Sequence, residues 1–141
     1  MARLPPALDA HFRQPWRTPA APLEARAGVG ENPACGDRLA LELAPGPSGA
    51  LEVRSSVRGC SAVIALSSAA ASALAGQPME RAVGFDVAEL ARSLGGLGPT
   101  QQHAVAVVAR ALAGALQHAR ARASGSGSET GVGRPSEPGL G

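Results

Sequence analysis

Lysine and tyrosine are absent from this 141-residue chain, and aromatic side chains make up only 2% of it: Phe12, Trp16 and Phe85. A core with so few aromatics must be assembled from Ala, Val and Leu, each of which buries little area, so a modest stability is expected. All 13 basic residues are arginine; against 11 acidic residues they leave a net charge of +2. That usage reads as a GC-rich genome rather than a binding surface. The one local basic excess, Arg110, Arg120 and Arg122 on the last predicted helix, has no stacking aromatics among it and reads as a solvated helix face, which excludes nucleic acid as a partner. Cysteine is scarce as well. Cys35 and Cys60 are too few for a secreted disulfide framework, and neither belongs to a CxxC pair. Long apolar runs are also lacking: residues 62–75 would span about 21 Å as a helix, short of the ~30 Å hydrocarbon core, and include Ser67, Ser68 and Ser72. No membrane span and no signal-peptide run is predicted, which implies a cytoplasmic protein.

Glycine (18) and proline (12) are plentiful, yet at about a fifth of the chain they stay below the fraction that marks a wholly disordered sequence. They concentrate in loops and in residues 124–141, which are expected to form a disordered tail behind a single domain over 1–123. Residues 6–12 suit a short helix, closed before Pro15. Residues 13–36 read as loop, with one short edge strand near 23–29. Residues 37–44 and 51–57 alternate apolar and polar side chains and flank Pro45-Gly46-Pro47-Ser48-Gly49, a predicted antiparallel hairpin. After Cys60 the period changes to that of a helix over 61–75, closed by Gly76, with Val63, Leu66, Ala70 and Leu74 on one face. Short helical pieces follow at 79–83 and 87–94. A last helix is predicted to start at Thr100 as N-cap, with Val105, Val108, Leu112, Ala115, Leu116 and Ala119 as its apolar stripe. The expected fold is α+β, a small antiparallel sheet of two to three strands with helices packed on one face.

The polar chemistry gathers at joints between these elements. Cys35 precedes the first hairpin strand and Cys60 precedes the first long helix, whose free N–H groups favour a thiolate. Gly36 permits a bend that turns Asp37 toward the same point, and His103 lies in the first turn of the last helix, which suits the uncharged imidazole a metal needs. Two thiols, a carboxylate and an imidazole suit zinc, or two irons bridged by sulfides. Spacing alone is weak evidence for such a set and is also met by two unrelated reduced thiols, a solvated Asp and a surface His. His11 is expected to cap or pack the first helix, His118 to be solvated, and the serines of the long helix to bond back to the preceding turn. No strand–loop–helix phosphate site is present, so a nucleotide-dependent enzyme is excluded.

At these residues the chain resembles the U-type iron–sulfur cluster assembly scaffolds, the group containing IscU, SufU and the N-terminal domain of NifU. The resemblance covers roughly residues 8–118 and is carried by Asn32-Pro33-Ala34-Cys35-Gly36-Asp37, by Arg58-Gly59-Cys60-Ser61-Ala62, by Asp9-Ala10-His11-Phe12-Arg13-Gln14-Pro15, and by Leu97-Gly98-Pro99-Thr100-Gln101-Gln102-His103. It implies a NifU N-terminal fold and a non-enzymatic scaffold. The cargo would be iron or an Fe–S cluster, 2Fe–2S by ligand count, held by Cys35, Asp37, Cys60 and His103, with zinc as the alternative occupant. The implied partners are a cysteine desulfurase and apo iron–sulfur acceptor proteins. Two departures stand out. Ala104 occupies the place of the family's third cysteine, so a thiol introduced there is expected to raise cluster retention. Gly98 and Gln101 replace a proline and a lysine of the stretch that docks the specialised Hsp70 chaperone, which puts that docking in question. The related SufE-type sulfur acceptors leave a second reading open, a persulfide carrier working through Cys35.

Overall fold

The computed structural model describes residues 3–127. The chain runs through α1 (Pro6–Arg13), β1 (Gly28–Asn32), β2 (Asp37–Pro45), β3 (Leu51–Arg58), α2 (Ser61–Leu74), α3 (Val87–Ser93) and α4 (His103–Gly127). Short 3-10 turns lie at Glu24–Arg26, Pro33–Cys35, Met79–Arg81 and Pro99–Gln101. The three strands form one antiparallel sheet in the order β1-β2-β3. Helices α2 and α4 pack on it and on one another, giving the α+β class that the alternation and the change of period imply.

Register explains which face the helices take. Leu39 pairs with Gly30 and Val57, and Leu43 with Val53, so the odd-numbered side chains of β2 and β3 share one face with the even-numbered Gly28 and Gly30 of β1. Leu39, Leu43 and Val53 are completely buried there. A Cβ on Gly28 would collide with Ala111 O of α4, and one on Gly30 with Val107 O; a Cβ on Gly114 would in turn come within 2.8 Å of Gly28 Cα. Helix and edge strand thus approach backbone to backbone, a contact only glycine allows. These glycines place β1 at 28–32 rather than near 23–29, because residues that read as loop punctuation are the seam of a helix–strand contact. The segment expected as strand is a 3-10 turn instead.

Three other expectations change. Helix α2 is buried on nearly all sides, from Ala62 to Leu74, rather than along one stripe, because its small side chains let the sheet, α1 and α4 close around it. The last helix begins at His103, behind the Pro99–Gln101 turn, so Thr100 lies inside that turn rather than at the helix N-cap; at the start of the turn Gln101 Oε1 accepts the Gly98 N–H at 3.1 Å. Arg122 is not solvated but donates to Leu43 O at 2.8 Å, whereas Arg110, Arg120 and His118 are exposed as expected. Helix α4 is continuous to Gly127, and residues 128–141 of the expected tail lie outside the described residues. Among the described residues no helix is long and apolar enough to cross a membrane.

The outer sheet face is covered too. Glu42, on the polar side of the alternation, is fully buried: its Oε1 accepts from Leu23 N at 2.9 Å, and Arg54 and Arg26 lie 3.7 and 4.0 Å from its oxygens. Thr18 Oγ1 accepts from Ser55 N at 3.1 Å, so the segment before β1 straps across β2 and β3. On the helical side, Ser67 bonds back to Ile64 O as expected, but Ser68 Oγ receives Trp16 N at 2.7 Å and meets His11 Nδ1 at 3.0 Å, which ties α1 and the turn after it to α2.

Candidate metal centre

Three joints converge at one end of the sheet. The turn Pro33–Cys35 ends at Gly36, whose φ of +72° is the left-handed bend that brings β2 in directly after the thiol. Cys35 is exposed at this turn, and Asp37, the first residue of β2, is buried. Cys60, partly buried, is the N-cap residue of α2. His103 opens α4 from across the sheet.

Ligand atoms of Cys35, Asp37 and His103 all lie within 4.8 Å of one another. Cys60 Sγ stands 3.3 Å from His103 Nε2, the same ring nitrogen that lies 3.1 Å from Asp37 Oδ2. Cys60 reaches the cluster through the imidazole and does not belong to the tight three-atom group. All four residues singled out from the sequence therefore meet at one place. Asp37 Oδ1 accepts the Cys60 backbone N–H at 2.8 Å, while its buried Oδ2 has no hydrogen-bond partner. A buried carboxylate oxygen left this way is costly unless a cation or donor reaches it, and with two thiols and an imidazole alongside, the donor set suits a borderline-soft metal such as zinc or iron.

Sequence reasoning passed over several residues here. Gly59 has a φ of +140°, and a Cβ on it would collide with Asp37 Oδ1; the signal was the Gly-Cys pair at the joint, read only for its cysteine. A cavity of about 350 Å³ opens in front of the thiols, lined by Cys35, Cys60, Ser61, Ala62, Thr100, Gln101 and His103. Ala104, directly after His103, is fully buried among core residues.

Comparison with known proteins agrees with this architecture. The chain is 33% identical over 97 residues to the iron–sulfur cluster assembly scaffold protein IscU of Aquifex aeolicus (strain VF5), a match covering 66% of this chain and 60% of that protein; it thus spans less than two thirds of that relative's length. Among solved structures it is similar in fold to the N-terminal part of a nitrogen-fixing NifU-like protein from Brucella abortus, with a TM-score of 0.56 at 15% identity, covering 82% of this chain and 90% of that one. It is similar also to a candidate SUF-system cluster assembly scaffold from Fervidobacterium islandicum AW-1, with a TM-score of 0.50 at 15% identity, covering 78% and 91%. The NifU-like N-terminal domain family matches residues 8–125, and on that span the chain belongs to this family.

Proposed function

We propose that this chain is a scaffold on which iron and sulfide are held, as a labile cluster of the 2Fe–2S type, and handed to acceptor proteins. The observation that carries the reading is the meeting of Cys35, Asp37 and His103 within 4.8 Å, with Cys60 Sγ 3.3 Å from the imidazole. Membership of the family and the scaffold function printed for the Aquifex relative support it. In this reading the four residues are the ligands, a cysteine desulfurase supplies sulfur and apo iron–sulfur proteins receive the cluster. The two free thiols suit the reducing cytoplasm.

The ligand set fits a carrier better than a permanent site. Thiolates bind iron and zinc firmly, whereas carboxylate oxygen is a harder ligand that exchanges more readily. Cys35 is exposed on a turn and faces the cavity, so incoming sulfur and an outgoing cluster share one open side. The protein's part is binding and release, with no covalent turnover of its own.

Anaerobic incubation with ferrous iron, cysteine, a cysteine desulfurase and a dithiol reductant that converts persulfide sulfur to sulfide, followed by gel filtration, tests the reading. Retained iron and acid-labile sulfide in equal amounts, with visible charge-transfer absorption, are expected. A colourless protein that retains zinc but neither iron nor sulfide would overturn it.

A further inference from the structure

We propose that Asp37 is a positioning residue as well as a ligand: one oxygen clamps the Cys60 joint and only the other is free to meet a metal. Three observations carry this. Oδ1 accepts the Cys60 N–H at 2.8 Å across a loop separation of 23 residues. Oδ2, on the other side of the same carboxylate, is buried, has no hydrogen bond and lies 3.1 Å from His103 Nε2. Gly59 passes so close that any side chain there would strike Asp37 Oδ1.

The physical consequence is a hub. Asp37 is joined through the chain to the Cys35 turn and through Oδ1 to the start of α2, and its Oδ2 faces His103 at the start of α4. A hydrogen bond from a backbone N–H to a buried carboxylate is among the stronger ones available to a protein. It therefore holds the thiol of Cys60 near His103 before any metal arrives. Because one oxygen is committed to the backbone, Asp37 acts toward a metal as a single-oxygen ligand, and a metal that leaves does not release the loop. The clamp stands on the hydrogen-bond geometry alone; the role of the second oxygen rests on the scaffold reading above.

Substitution separates the two roles. In Asp37→Asn the amide oxygen still accepts from Cys60 N–H while the NH₂ group faces His103 Nε2, so the clamp is kept and the ligand oxygen lost. Asp37→Ala loses both. Gly59→Ala keeps the carboxylate but forces the joint away from it. Amide hydrogen exchange at Cys60 and the site-resolved alkylation rate of its thiol are read by mass spectrometry on the full, metal-free chain, with zinc affinity measured separately. Exchange and alkylation in Asp37→Asn should stay within about twofold of the parent, and in Asp37→Ala and Gly59→Ala both should rise about tenfold. The clamp is overturned if Asp37→Ala exchanges like the parent, or if Asp37→Asn is as fast as Asp37→Ala, which would make charge rather than hydrogen bonding the cause. Unaltered zinc affinity in Asp37→Asn would instead count against the ligand role and leave the clamp standing. Should Asp37→Ala fail to fold, Gly59→Ala against Asp37→Asn decides the same question.

Discussion

Strand β2 buries two carboxylates, Asp37 at its start and Glu42 an odd number of residues later, so they face opposite sides of the sheet. Each spends one oxygen on a backbone N–H, Asp37 on Cys60 at 2.8 Å and Glu42 on Leu23 at 2.9 Å, and the other oxygen of each has no hydrogen bond. They differ in the cations beside them. Glu42 has Arg54 and Arg26 within 4.0 Å. Arg54 is held above its ordinary pKa chiefly by its hydrogen bond to Glu52, with the Glu42 charge adding to it. Among the described residues, Asp37 has within that range only the imidazole of His103. A buried charge needs a partner. At Glu42 the chain supplies fixed cations and the carboxylate pins a strap; at Asp37 the companions are thiols and an imidazole, side chains able to bind a metal, which suits a cation brought from outside.

Taking the fixed cation away tests the first half of this contrast. Arg54→Met leaves the Glu42 charge buried with Arg26 alone and should be the more destabilising change in urea unfolding. Glu42→Gln keeps an acceptor for Leu23 N–H, removes the charge and should cost only about 1 kcal/mol. Equal losses in the two variants would show that Glu42 acts as a hydrogen-bond acceptor alone. Neither change should alter zinc affinity.

Supplying a cation at the other end of the strand tests the second half. Zinc at 100 times its dissociation constant should stabilise the protein by about 2.7 kcal/mol, a rise in Tm of about 10 °C at this chain length. His103→Ala and Cys60→Ser should remove most of that rise, while Glu42→Gln should preserve it. If the Tm of His103→Ala climbs as far as that of the parent, the imidazole is not a ligand.

The sequence disclosed these two carboxylates unequally. Asp37 stood out because it adjoined a thiol, a flexible glycine and a strand start, so local chemistry marked it. Glu42 looked like any outward residue of an alternating strand, since the strap that buries it comes from residues 17–26, a stretch without periodicity. Strand β1 was displaced for a related reason: Gly28 and Gly30 carry no side-chain signal, and their value appears only against the backbone of α4. The hairpin, α2 and the convergence of Cys35, Asp37, Cys60 and His103 were legible because hydrophobic period and residue chemistry are local properties. Clamps, straps and seams depend on partners far along the chain, such as Cys60 for Asp37, Leu23 for Glu42 and Ser68 for His11.

Ala104→Cys offers the smallest expected effect and the finest division of the contrast. Position 104 is fully buried beside His103, so an added sulfur costs about 1 kcal/mol of overpacking. Against that, a thiolate binds iron and zinc more firmly than a carboxylate oxygen does. Iron retained after anaerobic gel filtration should increase over the parent. The informative background is Asp37→Asn, where the clamp persists and the ligand oxygen is gone. If a thiol at 104 restores part of the zinc-induced rise in Tm there, the cation at this end of β2 is held by whichever soft or anionic ligand completes the set. If it restores none, the new sulfur stays in the core, and the buried carboxylate itself is what draws the metal to this end of the strand.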